Sequence, residues 1–264
     1  MSYIKKILFH FSKHILNNIK SLKDSQKGKS CYIIGDGISI KWFDLSVFSN
    51  FPAFALNNIP YHNQANKLNI QYITYVQPFM FYKFKYNSKF IDNILKNFIK
   101  KNPNKLFFVN LSNYPLLWSK NIFYLFMNIP DKDSIFLNEC RSKNIRIDSN
   151  GFSWAVALAI YMGFKNIYLV GCDYTHAISR SRHWYEKGQG ILKEPINYQK
   201  EFLEISLKYA NIVTITLEGN GTYVPGIEYE KFVGKKIKYK ENLELIQMKD
   251  LINIASCSPN YRIF

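Results

Sequence analysis

A chain of 264 residues with 47% apolar and 17% aromatic content can bury a sizeable core, which excludes a disordered or low-complexity protein. Its formal net charge of +16 implies an anionic partner, and nucleic acid, anionic lipid headgroups and an acidic small substrate compete for that place. The four cysteines, Cys31, Cys140, Cys172 and Cys257, form no C-x-x-C pair and stand at no metal-ligand spacing from histidine, so free thiols in a reducing compartment are expected.

Residues 1–24 carry Ile4, Ile7, Leu8, Phe11, Ile15, Ile19 and Leu22 at helical spacing, with Lys5, Lys6, Lys13, Lys20 and Lys23 mostly off that stripe. Such a basic amphipathic helix either packs on the body of the protein or lies on an anionic membrane surface, and the second is preferred here. The polar run from Asp24 to Ser30 then reads as a linker, so residues 1–28 form one unit. No apolar run reaches the length of a membrane span, and ILFHF is too short for a signal peptide and precedes no small-residue cleavage site.

Beyond the linker, strands are predicted at Cys31–Gly35, Ala53–Asn57, Gln71–Val76, Leu106–Val109, Ile167–Gly171 and Ile212–Leu217. Helices are predicted at Lys41–Phe48, Tyr61–Leu68, Lys89–Lys101, Phe152–Met162 and Tyr198–Tyr209. The alternation places residues 29–234 in the α/β class, with a Rossmann-like, mostly parallel sheet. Residues 111–147 take no assignment, and the tail 235–264 holds one helical stretch at Asn242–Ile254.

The chemistry-bearing residues stand at the ends of these strands, where an open parallel sheet binds its ligands. Gly35-Asp36-Gly37-Ile38-Ser39 follows the first strand; its glycines permit tight turns and close approach of amides to a phosphate, and Ser39 can donate or cap. The spacing is neither G-x-G-x-x-G nor a Walker loop, and an ordinary strand-to-helix turn would look the same. Asn57-Asn58 and Gln77 end the next two strands with neutral amides suited to a base or sugar edge. Arg146, Ser149, Asn150 and Gly151 precede the helix at Phe152, where a capped N-terminus can hold an anion.

Asp173 and Tyr174 follow the strand NIYLVG, in a segment that continues to ISRSRHWYEKGQG. His183 is the preferred general base, with His176 as its rival, Asp173 as the group that orients it, and Tyr174 and Tyr185 as donors to a leaving phosphate. A solvent-exposed loop histidine is the plain alternative.

This order of features, from GDGIS through the amide pair and Gln77-Pro78 to SNG and AVALAIYMGFKNIYLVGCDYT, resembles the bacterial lipooligosaccharide sialyltransferases of glycosyltransferase family 42. More distantly it resembles the flagellin-glycosylation and pterin-pyrophosphokinase-like proteins. The resemblance spans roughly residues 31–230, with 149–175 its specific part. It implies a GT-A-like variant of the Rossmann fold with a lid near 174–197, a CMP-sugar donor, no obligatory cofactor, no metal, inversion at the anomeric centre, and a membrane-associated homo-oligomer. By motif it would place Gly35–Ser39 and Asn57 on the donor nucleotide, Gln77 on the cytidine-sugar region, and Ser149 to Gly151 on the phosphate or the sialic carboxylate. This chain has Asp36 where the family loop usually has Asn, and Thr175 where the family's tyrosine falls. Residues 188–200, where the family's histidine would fall, contain none.

The expectation is therefore an inverting transferase that moves a sialic acid-like (nonulosonic) sugar from its CMP donor to a glycan or glycolipid hydroxyl. It would work in the cytoplasm, peripheral at the inner face of the inner membrane. A pyrophosphokinase-like or other nucleotide-sugar transferase on the same fold is the first rival. A basic nucleic-acid-binding module is the second, and the chain carries no recognised binding signature for it.

Overall fold

The computed structural model describes residues 12–82 and 95–241, apart from 115, 118, 127, 148–149, 174–177 and 196–198. Its strands are β1 (Ser30–Ile34), β2 (Ala53–Leu56), β3 (Ile70–Tyr75), β4 (Leu106–Asn110), β5 (Ile122–Leu125), β6 (Asn166–Val170), β7 (Ser179–Ser181), β8 (Ile191–Lys193), β9 (Asn211–Thr216) and β10 (Gly226–Glu228). Its α-helices are α1 (Lys13–Leu16), α2 (Asn97–Lys101), α3 (Ile135–Ser142), α4 (Gly151–Tyr161), α5 (Lys200–Ser206) and α6 (Tyr229–Val233).

Eight strands form one sheet in the order β10-β9-β6-β1-β2-β3-β4-β5, and every neighbouring pair is parallel. The chain steps outward from β1 to β5, then returns through α3 and α4 to lay β6 on the other flank of β1. The β1–β6 junction is thus the switch point of the sheet, where connections leave in opposite directions and a crevice opens. β7 and β8 stand apart as a short antiparallel hairpin. The fold is α/β and Rossmann-like, as the sequence predicts.

Alternate residues of β1 enter two cores, because successive side chains of a strand point to opposite faces. Cys31 and Ile33 join the core under α3, α4 and α5, while Tyr32 and Ile34 join the opposite one. On the helical side Phe54 stacks on Tyr72 of the next strand at 4.5 Å and lies near-parallel to Phe108, two strands away, at 6.4 Å, with Phe164 edge-on. Helix α4 is buried along nearly its whole surface. Each of its large apolar side chains contributes about 1.5–3 kcal/mol by leaving water. Its start is fixed by Asn150, whose Oδ1 accepts the amide of Ser153 at 2.9 Å.

The opposite face differs from expectation. The segments read as helices at Lys41–Phe48 and Tyr61–Leu68 are instead short 3₁₀ turns at Ile38–Trp42, Leu45–Val47, Ile59–Tyr61 and Ala65–Lys67. Polar side chains there capture backbone amides that an α-helix would use: Asp44 takes Ser46 N, Gln64 takes Leu45 N, and His62 Nδ1 takes Gln64 N. Of the helix predicted at Lys89–Lys101, residues 97–101 are helical and 89–94 lie outside the described residues. β5 and α3 fill the stretch left unassigned at 111–147.

Residues 12–28 belong to the body. Leu16 and Ile19 are fully buried, and α1 with the following turn packs on β5. The expected linker is fastened down: Asp24, Gln26 and Gly28 donate their amides to the carbonyls of Tyr161, Met162 and Gly163. Carbonyls at the end of α4 lack partners within the helix, and this strand of turns supplies them. Residues 1–11 and the tail 242–264, with its predicted helix and Cys257, lie outside the described residues. Cys31, Cys140 and Cys172 are buried free thiols. Among the described residues no helix is long and apolar enough to cross a membrane.

Candidate active site

The site begins with backbone contact between two strand ends. Gly35 donates to Val170 O at 2.7 Å and Gly37 to Gly171 O at 2.8 Å, which draws the bend after β1 onto the bend after β6. A Cβ at Gly35 would sit 2.4 Å from Gly171 O, and one at Gly37 would sit 2.4 Å from Asp173 Oδ2. Only a residue without a side chain allows this crossing. The amide of Ser39 then donates to Asp173 Oδ2 at 2.7 Å. The amides of Gly35, Gly37 and Ser39 are therefore spent inside the protein. The expectation that this loop offers them to a phosphate is corrected: its glycines serve strand-to-strand packing.

Above the crossing lies an open cleft of about 200 Å³. Gly35, Asp36 and Gly37 line it from the end of β1, Leu56 and Asn57 from β2, and Gly171, Cys172 and Asp173 from β6. Asn150, Gly151 and Phe152 bring the positive end of α4, and Arg182 and His183 enter from the loop after β7. Asn57 holds a left-handed φ of 48°, which asparagine tolerates, and its Nδ2 donates to Asp36 at 3.3 Å.

His183 is held on both sides. Its backbone bridges Gly37, and the next amide, of Trp184, donates to Asp36 O at 3.1 Å. Its ring stacks on Tyr185 with centroids 5.1 Å apart. Nδ1 lies 2.7 Å from Glu186 Oε1, and Nε2 lies 4.0 Å from Asp36 Oδ2. Burial disfavours the imidazolium, but Asp36, the bond to Glu186 and Asp173 outweigh it and raise the pKa above the ordinary histidine value. Asp173 is pushed up to about 6, first by burial and also by Asp36, against the Ser39 amide and His183. Burial likewise pushes the Cys172 thiol up, which removes it as a nucleophile. The chemistry within reach is proton transfer by an imidazole of fixed orientation, beside two carboxylates and a helix N-terminus.

Of the residues singled out from sequence, Gly35, Asp36, Gly37, Asn57, Asn150, Gly151, Asp173 and His183 meet in this cleft. Ser39 is buried and faces a smaller cavity on the far side of Asp173. Asn58 caps a 3₁₀ turn, and Gln77 and Arg146 are exposed; none of the three lines the cleft. Tyr185 is 1% exposed and braces the His183 ring from behind, so its expected role as a donor to phosphate is corrected. Tyr174, Ser149 and the rival His176 lie outside the described residues. Sequence reasoning missed Glu186 and Arg182. The three-residue spacing from His183 to Glu186 was the available signal for the first. The second adopts a φ of 91°, which costs an L residue on the order of 1–3 kcal/mol, and nothing in its sequence announces that. Among the described residues no cluster of His, Cys, Asp and Glu has the geometry to hold a metal ion.

No family model matches the chain, and no curated protein matches it in sequence. Among solved structures it is similar to the sialyltransferase CstII from Campylobacter jejuni with the substrate analogue CMP-3FNeuAc. That match has 18% identity over 86% of this chain and 99% of that one, with a TM-score of 0.46. It is also similar to an alpha-2,3-sialyltransferase from Campylobacter jejuni, with 17% identity over 84% and 90% of the two chains and a TM-score of 0.45. A third likeness is to the MAf glycosyltransferase from Magnetospirillum magneticum AMB-1, with 13% identity and a TM-score of 0.43; it covers 95% of this chain but 42% of that one.

Proposed function

We propose that this protein is an inverting glycosyltransferase that moves a sialic acid-like sugar from a CMP-activated donor to a hydroxyl of a cell-surface glycan. The observation that carries the reading is the meeting of Asp36, Asp173 and a Glu186-braced His183 with the start of α4 at the single switch point of the sheet. The motif resemblance from SNG to GCDYT supplies the donor class.

In this reading the donor phosphate lies toward Gly151 and Phe152, where the α4 dipole and Arg182 favour an anion. Asp36 and Asn57 present an acceptor and a donor to sugar hydroxyls or the base edge. Glu186 holds the proton on Nδ1, which leaves the Nε2 lone pair to the cleft. The acceptor hydroxyl gives its proton to Nε2 as its oxygen bonds to the anomeric carbon from the face opposite the phosphate. The bond from that carbon to the phosphate oxygen breaks, its electron pair leaves with CMP, and the configuration inverts. The carboxylates of Asp36 and Asp173 stabilise the imidazolium and the cationic sugar. Tyr174 would serve the departing phosphate, and no obligatory cofactor enters these steps.

The charge of +16 supports a peripheral place at the anionic inner face of the inner membrane, near lipid-linked acceptors. Within 12–24 the contact would fall to the exposed Lys13, His14 and Lys20, since Leu16 and Ile19 are in the core.

The test is transfer from a CMP-linked nonulosonic acid to a glycan acceptor in the presence of a chelator. His183→Gln should lower turnover by about 10²–10⁴-fold while CMP still raises the melting temperature. Undiminished turnover by that variant would remove His183 as the base. Thermal stabilisation by ATP with magnesium, without any by CMP, would move the protein to the pyrophosphokinase-like reading.

A further inference from the structure

Lys41 is a buried cation that the mechanism above does not use. Its side chain is 0% exposed, on the 3₁₀ turn that follows the Gly35–Ser39 bend. Its ammonium donates to Glu186 O at 2.6 Å, to Gly188 O at 2.6 Å and to Glu241 Oε1 at 2.8 Å, so all three protons are used. Two of these acceptors belong to the loop that carries Glu186, the residue holding His183 Nδ1. The third comes from the C-terminal segment. Lys238 and Lys240 donate their amides to Trp42 O and Lys41 O, Tyr239 packs on Trp42 at 5.0 Å, and its hydroxyl donates to Glu241 Oε2.

Taking an ammonium out of water is costly unless every proton finds an acceptor, and an apolar side chain would fill the same space without that cost. What the ammonium adds is directional: it fixes the backbone of the Glu186 loop relative to the bend after β1. We propose that Lys41 is a positioning residue for His183. It acts through the Glu186 loop, and Glu241 of the C-terminal segment completes it. The inference rests on His183 as the base for its effect on turnover, but its effect on the imidazole can be read without any turnover.

The charges facing Lys41 are Glu186, Glu241 and Arg182; those facing His183 are Asp36, Glu186 and Asp173. This gives a test by sign. Deleting a cation through space raises the histidine pKa, whereas loosening Glu186 from Nδ1 lowers it. In Lys41→Met, followed by NMR titration of His183, the pKa should fall, and kcat should fall by about tenfold or more with KM for the donor within about twofold. In a Glu186→Ala background the same substitution should no longer lower the pKa and should change kcat by no more than about twofold, because the path runs through the Glu186 side chain. A pKa that rises or stays constant in Lys41→Met, or a full effect in the Glu186→Ala background, overturns the proposal. If Lys41→Met does not fold, Glu241→Ala removes one of the three acceptors at a partly exposed position. It should lower both the pKa and kcat in the wild-type background and neither in Glu186→Ala; persistence in both backgrounds overturns the proposal. Should His183→Gln retain activity while the titration behaves as stated, the base assignment fails and the positioning role stands.

Discussion

Two segments cross above Asp36 and are built on opposite principles. The bend Gly35–Ser39 is set mainly by backbone: two of its amides bond carbonyls at the end of β6, a third bonds the Asp173 carboxylate, and the glycines admit no side chain. The loop from Arg182 to Gly188 touches that bend at Gly37 and Asp36, but much of its fixing comes from side chains, with Lys41 below it, Glu186 across it and Tyr185 behind His183. Backbone contact makes the first segment nearly rigid and intolerant of change. Side-chain ties make the second adjustable one residue at a time, and that is where the titrating chemistry sits. A site built this way separates the part that holds the sheet together from the part that is tuned.

The comparison is sharpest at Gly37. Gly37→Ala places a Cβ 2.4 Å from Asp173 Oδ2 and 2.5 Å from Gly171 O, and backbone on one side has nowhere to go. Loss of about 3 kcal/mol or more is expected by urea titration, with CMP binding lost as well; a variant of wild-type stability would show that the bend is not tightly packed.

Asp173 gives the next largest effect, as a pH dependence. Its folded pKa of about 6 lies above its unfolded value, so its contribution to stability is full below about pH 4 and is lost as pH rises through about 6. Relative to Asp173→Asn, the wild type should lose up to about 3 kcal/mol between pH 4 and pH 7. Parallel stability curves for the two proteins would mean the carboxyl is not desolvated.

Glu186→Gln tests the adjustable segment. A base must be neutral, so turnover rises with pH through the folded pKa of His183, and the acid limb of the wild type should lie above the ordinary histidine value. The variant should shift that limb to lower pH and reduce the maximum rate by about tenfold, with stability changed by no more than about 1–2 kcal/mol. An unmoved limb would assign it to another group.

The smallest effect is expected on the outer hairpin. Leu192 is 65% exposed, and Leu192→Ser should change stability by less than about 0.5 kcal/mol in the same urea titration. A larger loss would mean that the hairpin bears on the cleft more than its exposure allows.

The six strands predicted from sequence all exist, within one or two residues, because each is an apolar run closed by a glycine, amide or turn residue. β5 and β10 were illegible: both are short edge strands without alternation strong enough to see. The 3₁₀ turns passed for helices because apolar residues three and four apart satisfy either geometry, and only the competing bonds of Asp44, His62 and Gln64 decide between them. Within the cleft, Asp36, Asn57, Asn150 and Asp173 were legible because each closes a strand or caps a helix, and such ends share one edge of a parallel sheet. Gln77 follows the same rule and still misses the cleft, since β3 lies two strands from the switch point.

From residue order alone follow the alternating architecture, the location of the binding edge, and the segment beyond the last central strand that offers His176 and His183 as candidate bases. Those depend on local patterning and on the fixed direction of strand ends, which a single chain carries in full. Folding in three dimensions decided how the glycines are used, which arginine reaches the cleft, and how His183 acquires its partners Glu186 and Asp36. Distances and burial between segments far apart in the chain govern each of these, and neither is written in local sequence.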